Sequence, residues 1–317
     1  MGASQQVDIS VVVAAYNVAE YVGQCLESLL ACTGVGLEVI VVDDASSDAT
    51  ADTVSARFGA APNVKLLRLG INRGPSHARN MAITAATGQW IAWVDADDWC
   101  APVRFRALLE LAHRFDADVV SDDQHVVEDG FRQPWSTINR VNRWRQRVSE
   151  PVSFERFVRS RHIVKPLIKR SFLQAHHLRF NEEVRHGEDF LLLSELLLAG
   201  ARWHMSPVPM YYYRIRQGSI TNTGEFAHGN LRSLERLLEL DVVKNNPRFT
   251  SLCEEALRHA ARRERVRQTR LALRNLDLAA LRHAAAGDAS LFWSILRHEA
   301  ALAPLRVRRR LHRIRFG

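Results

Sequence analysis

The 317-residue chain is 47% hydrophobic and 25% charged, a globular composition that excludes a disordered, collagen-like or disulfide-dense protein. At roughly 150 residues per domain, this length predicts two domains, or one large domain with an appendage. The four cysteines form no Cys-x-x-Cys pair, which excludes a zinc ribbon and is typical of free thiols. No apolar run approaches the ~20 residues of a membrane-spanning helix, and the first ten residues lack a leader pattern, so we expect a cytoplasmic protein.

The net charge of +8 is unevenly distributed along the chain. Residues 258–317 contain 15 Arg, no Lys and four acidic residues, whereas residues 1–257 contain 28 basic and 31 acidic residues. A basic segment can bind nucleic acid, an anionic lipid surface or an acidic face of its own protein. Residues 291–317 mix Arg with Leu, Ile, Phe and Trp, a pattern of basic amphipathic helices that lie on membranes or pack on the acidic body.

Short apolar runs alternate with helical patterns in the first half of the chain. Strands are predicted over residues 9–14, 38–43, 64–69 and 90–94, and helices over about 19–31, 47–58, 75–86 and 102–114. Because these strands are continuously apolar and separated by helices, they predict an α/β fold with a mostly parallel sheet flanked by helices.

The pattern loosens after Val120, and residues 132–149 predict an irregular excursion. Further along, the sequence predicts a helix at about 153–160, a short strand at about 164–168, a helix over 187–198 and a strand over 208–214. From about residue 225 only helical patterns remain. We therefore predict an α/β domain over residues 1–220 and a basic, all-helical region over residues 221–317.

Acidic clusters follow two of the predicted strands, at the strand ends where ligands of open parallel sheets bind. Asp95, Asp97 and Asp98 come directly after the fourth strand, and Asp43 and Asp44 end the second. Crowded carboxylates are normally stabilised by a cation or by basic neighbours, and oxygen ligands of this kind suit Mg²⁺ or Mn²⁺. An Asp-rich turn that caps the next helix is the alternative for the first cluster, but the matching pair after the second strand favours a metal site.

Three further segments have two interpretations each. Arg79 lies near a predicted helix start, in an anion site or simply in a turn. Glu188 and Asp189 open an apolar helix, where they interact favourably with the helix dipole or supply a general base. Arg214 and Arg216 share one face of a strand, where they hold a diphosphate or pair with surface acids.

The phosphate-binding loops GxGxxG and GxxxxGK[ST] are absent, which disfavours a Rossmann dehydrogenase and a P-loop NTPase. The basic residues accompany no recognised RNA- or DNA-binding signature, so we expect no nucleic-acid partner. A receiver-like domain also has carboxylates at strand ends, but it would be much shorter than this chain. The alternative that stays open is a non-catalytic nucleotide- or nucleic-acid-binding protein on an α/β scaffold.

Five segments taken together resemble the family 2 glycosyltransferases, which have the GT-A fold. The segments are Val11–Asn17, Val41–Asp48, Asn72–Asn80, Gly88–Asp98 and Gly187–Asp189. They occur in the family's order and at its usual intervals, and the resemblance extends over residues 7–220. Within the family, the chain is most similar to bacterial enzymes that build exopolysaccharide or lipopolysaccharide side chains.

The resemblance implies a donor-nucleotide site built by residues near the first four strands. Ala14 and Tyr16 match positions that line the base, with the Tyr16 ring stacked on it, and Ala14 stands where many members have Pro or Thr. Asp44 matches the carboxylate that binds the base N–H, typically of uracil. Arg79 falls in the segment that closes over the nucleotide, and Asp95 is the first residue of the DxD motif.

The resemblance also implies a metal site, a base and a lid. Asp97 or Asp98 would bind the divalent metal, Mg²⁺ or Mn²⁺, that bridges the diphosphate. Asp189 matches the catalytic base, with Glu188 beside it. Arg214 and Ser219 fall in a tyrosine-rich segment that contacts phosphate or closes a lid.

The function implied is that of an inverting, metal-dependent hexosyltransferase. The donor would be a nucleotide-diphosphate sugar, expected to be a UDP-hexose. The acceptor would be a hydroxyl of a growing bacterial surface or exopolysaccharide saccharide, expected to be linked to polyprenyl diphosphate. The C-terminal helices would then contact the anionic inner face of the cytoplasmic membrane.

Overall fold

The computed structural model describes residues 7–142, 146, 148–160, 164–216, 224–274, 304, 307–310 and 312–315. The chain divides into two compact units, of which the first ends at Gln217 and the second begins at Gly218. In the first unit the elements are, in chain order, β1 (Ile9–Ala15), α1 (Val22–Leu30), β2 (Leu37–Asp43), α2 (Thr50–Phe58), β3 (Val64–Arg68), α3 (Pro75–Ala85), β4 (Trp90–Trp93), β5 (Trp99–Cys100), α4 (Arg104–Arg114), β6 (Val119–Glu128), β7 (Ser136–Thr137), α5 (Ile138–Val141), β8 (Glu150–Pro151), α6 (Phe154–Ser160), β9 (Leu167–Lys169), α7 (Arg170–Ala175), α8 (Glu188–Leu198) and β10 (Trp203–Ile215).

A single mixed sheet organises this unit, with the strand order β3-β2-β1-β4-β9-β6-β10-β5. The strands β3, β2, β1 and β4 are parallel to one another, and β6 is parallel to β10. Strands β1, β2 and β4 are rich in Val, Ile and Trp and are buried almost throughout, as central strands covered on both faces are. The predicted mostly parallel α/β sheet is thus confirmed.

Strand β9 runs antiparallel between β4 and β6, with Leu167 opposite both Ala92 and Val120. Because β9 runs in the opposite direction, its first residue, Leu167, lies near the end of β4 and near the start of the longer strand β6. Continuing the register places Lys165, two residues before β9, level with Val94 just after β4. This reversed strand therefore brings a lysine to the carboxyl end of the parallel strands.

Strand β6 is not predicted from the sequence, and β10 is longer than predicted. The β6 strand continues through a polar stretch after Val120, because Arg104 on α4 forms a fully buried ion pair at 2.9 Å with Asp122 inside the strand. The β10 strand begins at Trp203, which pairs with Val119, and its register shifts between Ser206 and Tyr211. Two prolines in this shift, at 207 and 209, explain why only its second half has a strand pattern.

The second unit contains α9 (Gly224–Glu239), α10 (Asp241–Lys244) and α11 (Pro247–Arg274). These helices contact one another, and Leu234, Leu237 and Val243 are buried. The predicted helical region after the sheet is therefore confirmed. Of the basic segment 291–317, residues 304, 307–310 and 312–315 are helical, and its other residues lie outside those described. Within the described part of the chain, no helix has both the length and the apolar character needed to cross a membrane.

Candidate active site

The carboxyl ends of β1, β2 and β4 lie at one edge of the sheet, because these strands are adjacent and parallel. Ligands of open α/β sheets bind at such an edge. Tyr16, Asp44 and Asp95 follow these three strands within two residues. The structure thus brings three of the predicted site segments together.

Tyr16 is half exposed at the end of β1, and Ala14 is half-buried in the strand itself. Asn17, which follows Tyr16, adopts a positive φ of 51° and accepts a hydrogen bond at 2.8 Å from the backbone N–H of Ser47. This contact joins the loop after β1 to the loop after β2. The Tyr16 ring is therefore presented to solvent from a well-supported edge, as stacking on a nucleobase requires.

Asp44 is buried and connects the sheet edge to the loop that precedes α3. Its two carboxylate oxygens accept hydrogen bonds from the backbone N–H groups of Arg73, at 2.9 Å, and Gly74, at 2.8 Å. Gly74 has a positive φ of 89°, a conformation that suits glycine. The role of Asp44 in binding the base stays a prediction, since the observed contacts are with the loop.

Arg79 is buried on α3 and contacts carboxylates from two distant parts of the chain. Its Nη1 donates to Glu188 Oε1 at 2.7 Å and to Asp189 Oδ1 at 3.2 Å, and its Nη2 donates to Asp95 Oδ1 at 3.1 Å. Arg79 thus joins the start of α8 to the end of β4. The structure brings together four residues that the sequence predicts for the site.

Lys165 completes this arrangement. Its Nζ lies 2.8 Å from Asp95 Oδ2 and 2.9 Å from Asp189 Oδ2, and its side chain is 4% exposed. We call the set Arg79, Asp95, Lys165, Glu188 and Asp189 the ion-pair network. Within it, each of Asp95 and Asp189 contacts Arg79 through one carboxylate oxygen and Lys165 through the other.

The pKa shifts in the ion-pair network follow from burial and charge pairing. Burial alone would raise the pKa of Asp95, but Lys165 and Arg79 outweigh it and hold that pKa below its usual value. Burial alone would lower the pKa of Lys165, but Asp189 and Asp95 raise it. Burial, helped by Asp189, raises the pKa of Glu188 despite its contact with Arg79. The two cations therefore stay charged.

Asp97 and Asp98, both predicted as candidate metal ligands, differ in the structure. Asp98 is 1% exposed, and its oxygens accept hydrogen bonds from the Tyr211 hydroxyl at 2.6 Å and the Arg214 backbone N–H at 2.7 Å. Burial, together with the neighbouring carboxylates, raises the pKa of Asp98 well above its usual value. Asp97 is partly exposed and accepts a bond at 2.7 Å from Arg216 Nε. Asp98 thus fastens β10 to the turn, and of these two carboxylates Asp97 is the one that is partly exposed.

Arg214 is buried rather than open to a diphosphate. Its guanidinium donates to the Asp97 carbonyl oxygen at 2.7 Å, to Gln24 Oε1 at 2.6 Å and to Asp129 Oδ1 at 3.3 Å. The same group lies 4.7 Å from the centre of the Trp99 ring. These contacts give Arg214 a supporting place beneath the turn, and its predicted contact with phosphate stays a prediction. Ser219, the other predicted lid residue, lies outside the described residues.

Comparison with known proteins identifies the family. Residues 10–186 match the family model described as Glycosyl transferase family 2. The chain belongs to this family. The chain is 41% identical over 227 residues to the succinoglycan biosynthesis protein ExoO of Rhizobium meliloti, a match that covers 70% of this chain and 64% of ExoO. It is 32% identical over 314 residues to the succinoglycan biosynthesis protein ExoU of the same bacterium, with 95% of this chain and 86% of ExoU covered.

Solved structures show the same fold at low identity. S. aureus TarS in complex with UDP-GlcNAc superposes with a TM-score of 0.63 at 23% identity, covering 81% of this chain and 72% of the TarS chain. The mannosyltransferase PcManGT from Pyrobaculum calidifontis, in complex with GDP-Man and Mn²⁺, has a TM-score of 0.61 at 20% identity, with 97% and 84% covered. The GT-A fold implied by the sequence motifs is thereby confirmed.

Lys165 is the residue of the ion-pair network that the sequence did not predict. It stands in a stretch without a motif, and only the reversed direction of β9 brings it to Asp95 and Asp189. One compositional signal could have found it, because the chain contains four Lys against 39 Arg. A Lys within an apolar stretch of such a chain indicates a site where a compact ammonium is needed.

Proposed function

We propose that the protein transfers a hexose, with inversion, from a UDP-sugar to a hydroxyl of a lipid-linked exopolysaccharide intermediate. Both relatives from R. meliloti are named for succinoglycan biosynthesis, and structures of TarS contain UDP or UDP-GlcNAc. The observation that carries the proposal is the ion-pair network. It holds Asp189, whose side chain is 22% exposed, next to Asp95 at the ligand-binding edge of the sheet.

The reaction in this proposal is a single displacement. The acceptor hydroxyl attacks C1 of the donor sugar from the face opposite the diphosphate, the C1–O bond to the diphosphate breaks, and the hydroxyl proton passes to Asp189. General-base assistance of this kind contributes ~10²–10⁴-fold to a rate. Both Asp189 oxygens accept bonds from cations, but each carboxylate oxygen has a second lone pair that can accept the substrate hydroxyl.

Asp97 fits a divalent cation. Its carboxylate is partly exposed, and Mg²⁺ characteristically binds through one or two carboxylates together with water and substrate phosphates. No cluster of three possible His, Cys, Asp or Glu ligands occurs among the described residues. A bound Mg²⁺ or Mn²⁺ would neutralise charge on the departing diphosphate. Arg216, whose Nε donates to Asp97 at 2.7 Å, would add positive charge beside the same site.

A donor screen tests the proposed function. The protein is incubated with UDP-, GDP- and TDP-hexoses in Mn²⁺, Mg²⁺ or EDTA, and nucleoside diphosphate release is measured. We expect the fastest release from a UDP-hexose with metal, and little in EDTA. Equal release of nucleoside diphosphate in EDTA would contradict the proposed dependence on a divalent metal. A product with the donor's anomeric configuration, assigned by NMR coupling constants, would contradict the single displacement.

The acceptor in the proposal is a polyprenyl-diphosphate-linked saccharide at the inner face of the cytoplasmic membrane. Support comes from residues 291–317, which contain seven Arg and one acidic residue, and in which Arg313 and Ile314 are exposed. Exposed basic and apolar side chains on one helix favour anionic lipid surfaces. Deletion of 291–317 should abolish sedimentation with phosphatidylglycerol vesicles, while phosphatidylcholine vesicles serve as the control. Undiminished sedimentation of the truncated protein would favour the alternative, in which residues 291–317 pack on the acidic body of the protein.

A further inference from the structure

Lys165 is held from the interior of the protein by its main chain. Arg104 Nη2 donates a hydrogen bond to the Lys165 carbonyl oxygen, and Arg104 is itself fixed by the fully buried ion pair with Asp122 on β6. The carbonyl that Arg104 holds lies outside the ion-pair network. The backbone of Lys165 is thus fixed from one side while its side chain extends to the site on the other.

The contacts of Lys165 complete a closed circuit of charges. Lys165 and Arg79 each bridge Asp95 and Asp189, so each carboxylate is bound by both cations through different oxygens. Rotation of either carboxylate about its Cβ–Cγ bond would break an ion pair. Without Lys165, Arg79 alone would face three carboxylates, and Asp189 would be held through one oxygen only.

We propose that Lys165 is a positioning residue, which fixes the Asp189 carboxylate relative to Asp95 and thereby relative to the donor sugar. This inference rests on the proposed function, in which Asp189 accepts the proton of the acceptor hydroxyl. Lys165 acts through Asp189 and takes no part in bond making. A base displaced by about 1 Å can cost ~10²-fold in rate, so the positioning effect belongs to kcat.

The variant Lys165→Met tests the inference, because Met has a similar length and no charge. We expect kcat to fall by ~10²-fold, with the Kd for UDP from calorimetry changed by less than ~5-fold, since Asp95 keeps its contact with Arg79. The matched control is Lys169→Met, a lysine at the other end of β9 that makes no contact with the ion-pair network, and its kcat should equal that of the parent. An unchanged kcat in Lys165→Met would overturn the inference.

A double-mutant cycle with Asp189→Asn separates positioning from a general effect on folding. If Lys165 acts through Asp189, Lys165→Met should lower the residual turnover of Asp189→Asn by less than ~3-fold, measured with radiolabelled donor. If the two reductions instead multiply, Lys165 acts independently of Asp189 and the inference is wrong. Lys165→Gln, which retains polar hydrogens, takes the place of the Met variant in the same cycle if thermal melting shows that the latter is unfolded.

The same measurements distinguish failure of this inference from failure of the proposed function. Near-parental turnover in Asp189→Asn alone would show that Asp189 is not the base. The inference about Lys165 would then be wrong as well. Loss of turnover in Asp189→Asn together with parental turnover in Lys165→Met would contradict the inference about Lys165 and leave the proposed function standing.

Discussion

Two parts of the ligand-binding edge stabilise their carboxylates in different ways. On the side that we propose binds the nucleotide (the nucleotide side), Asp44 is bound by backbone N–H groups of the loop before α3, and Tyr16 nearby is exposed. On the side that we propose supplies the base (the catalytic side), Asp95 and Asp189 are bound by the buried side chains of Arg79 and Lys165. A backbone N–H donor is retained in every substitution except one to proline, whereas any change to a neutral residue removes a buried cation. Substitutions on the nucleotide side should therefore affect donor affinity, and those on the catalytic side should affect stability and turnover.

The variant Arg79→Met should have the largest effect on the free energy of unfolding. It leaves Asp95, Glu188 and Asp189 with Lys165 as their remaining cation within the ion-pair network, and breaking a buried ion pair by removing one partner costs ~3–5 kcal/mol. Urea denaturation followed by circular dichroism measures this loss. Arg57→Met, which removes a surface ion pair with Glu27, is the control and should change the free energy of unfolding by less than ~1 kcal/mol. Equal losses in both variants would contradict the stabilising role that we assign to Arg79 in the ion-pair network.

Tyr16→Ala tests the nucleotide side. Because stacking of a base on an aromatic side chain is worth ~1–3 kcal/mol, the Kd for UDP should rise by ~5- to 150-fold while the free energy of unfolding stays unchanged. Calorimetric titration with UDP measures the affinity, and Tyr16→Phe, which keeps the ring, should bind as the parent does. A Kd for Tyr16→Ala equal to that of the parent would place the base elsewhere.

The variant Glu195→Gln should have the smallest effect on the free energy of unfolding. Glu195 lies on α8, as Asp189 does, and so allows two carboxylates of one helix to be compared. Burial raises its pKa to about 7, with no cation among the causes of the shift. Because the folded state binds this proton more tightly than the unfolded state, stability declines as pH rises from the unfolded pKa of about 4.3 to about 7. Glu195→Gln should remove this decline and stabilise the protein by ~1 kcal/mol at pH 8 relative to pH 4, after allowance for its partial exposure. Parallel pH profiles for the two proteins would contradict this.

The parts that the sequence predicted are those that depend on neighbouring residues. Strands β1, β2 and β4 follow from continuous apolar runs, and Asp44 and Asp95 follow from their places at the ends of those strands. The start of α8 at Glu188 follows from an apolar helix preceded by glycine. In each case, periodicity and the residue at a boundary were sufficient.

The parts that the sequence did not predict depend on pairing between distant segments. The polar strand β6 is stable because Arg104 compensates Asp122, and Arg104 lies on a helix 18 residues earlier. Asp98 turns inward because the Tyr211 hydroxyl on β10 binds it, 113 residues later. Lys165 reaches the site only through the reversed direction of β9. None of these contacts leaves a local pattern in the sequence.

The most direct test of the central claim, that the ion-pair network presents Asp189 as the base, compares donor binding with turnover in Asp189→Asn. The structure predicts a Kd for the UDP-sugar within ~3-fold of the parent, because the nucleotide side is untouched, and a kcat lower by ~10²–10⁴-fold. Parental turnover in a variant that binds the donor normally would contradict the claim.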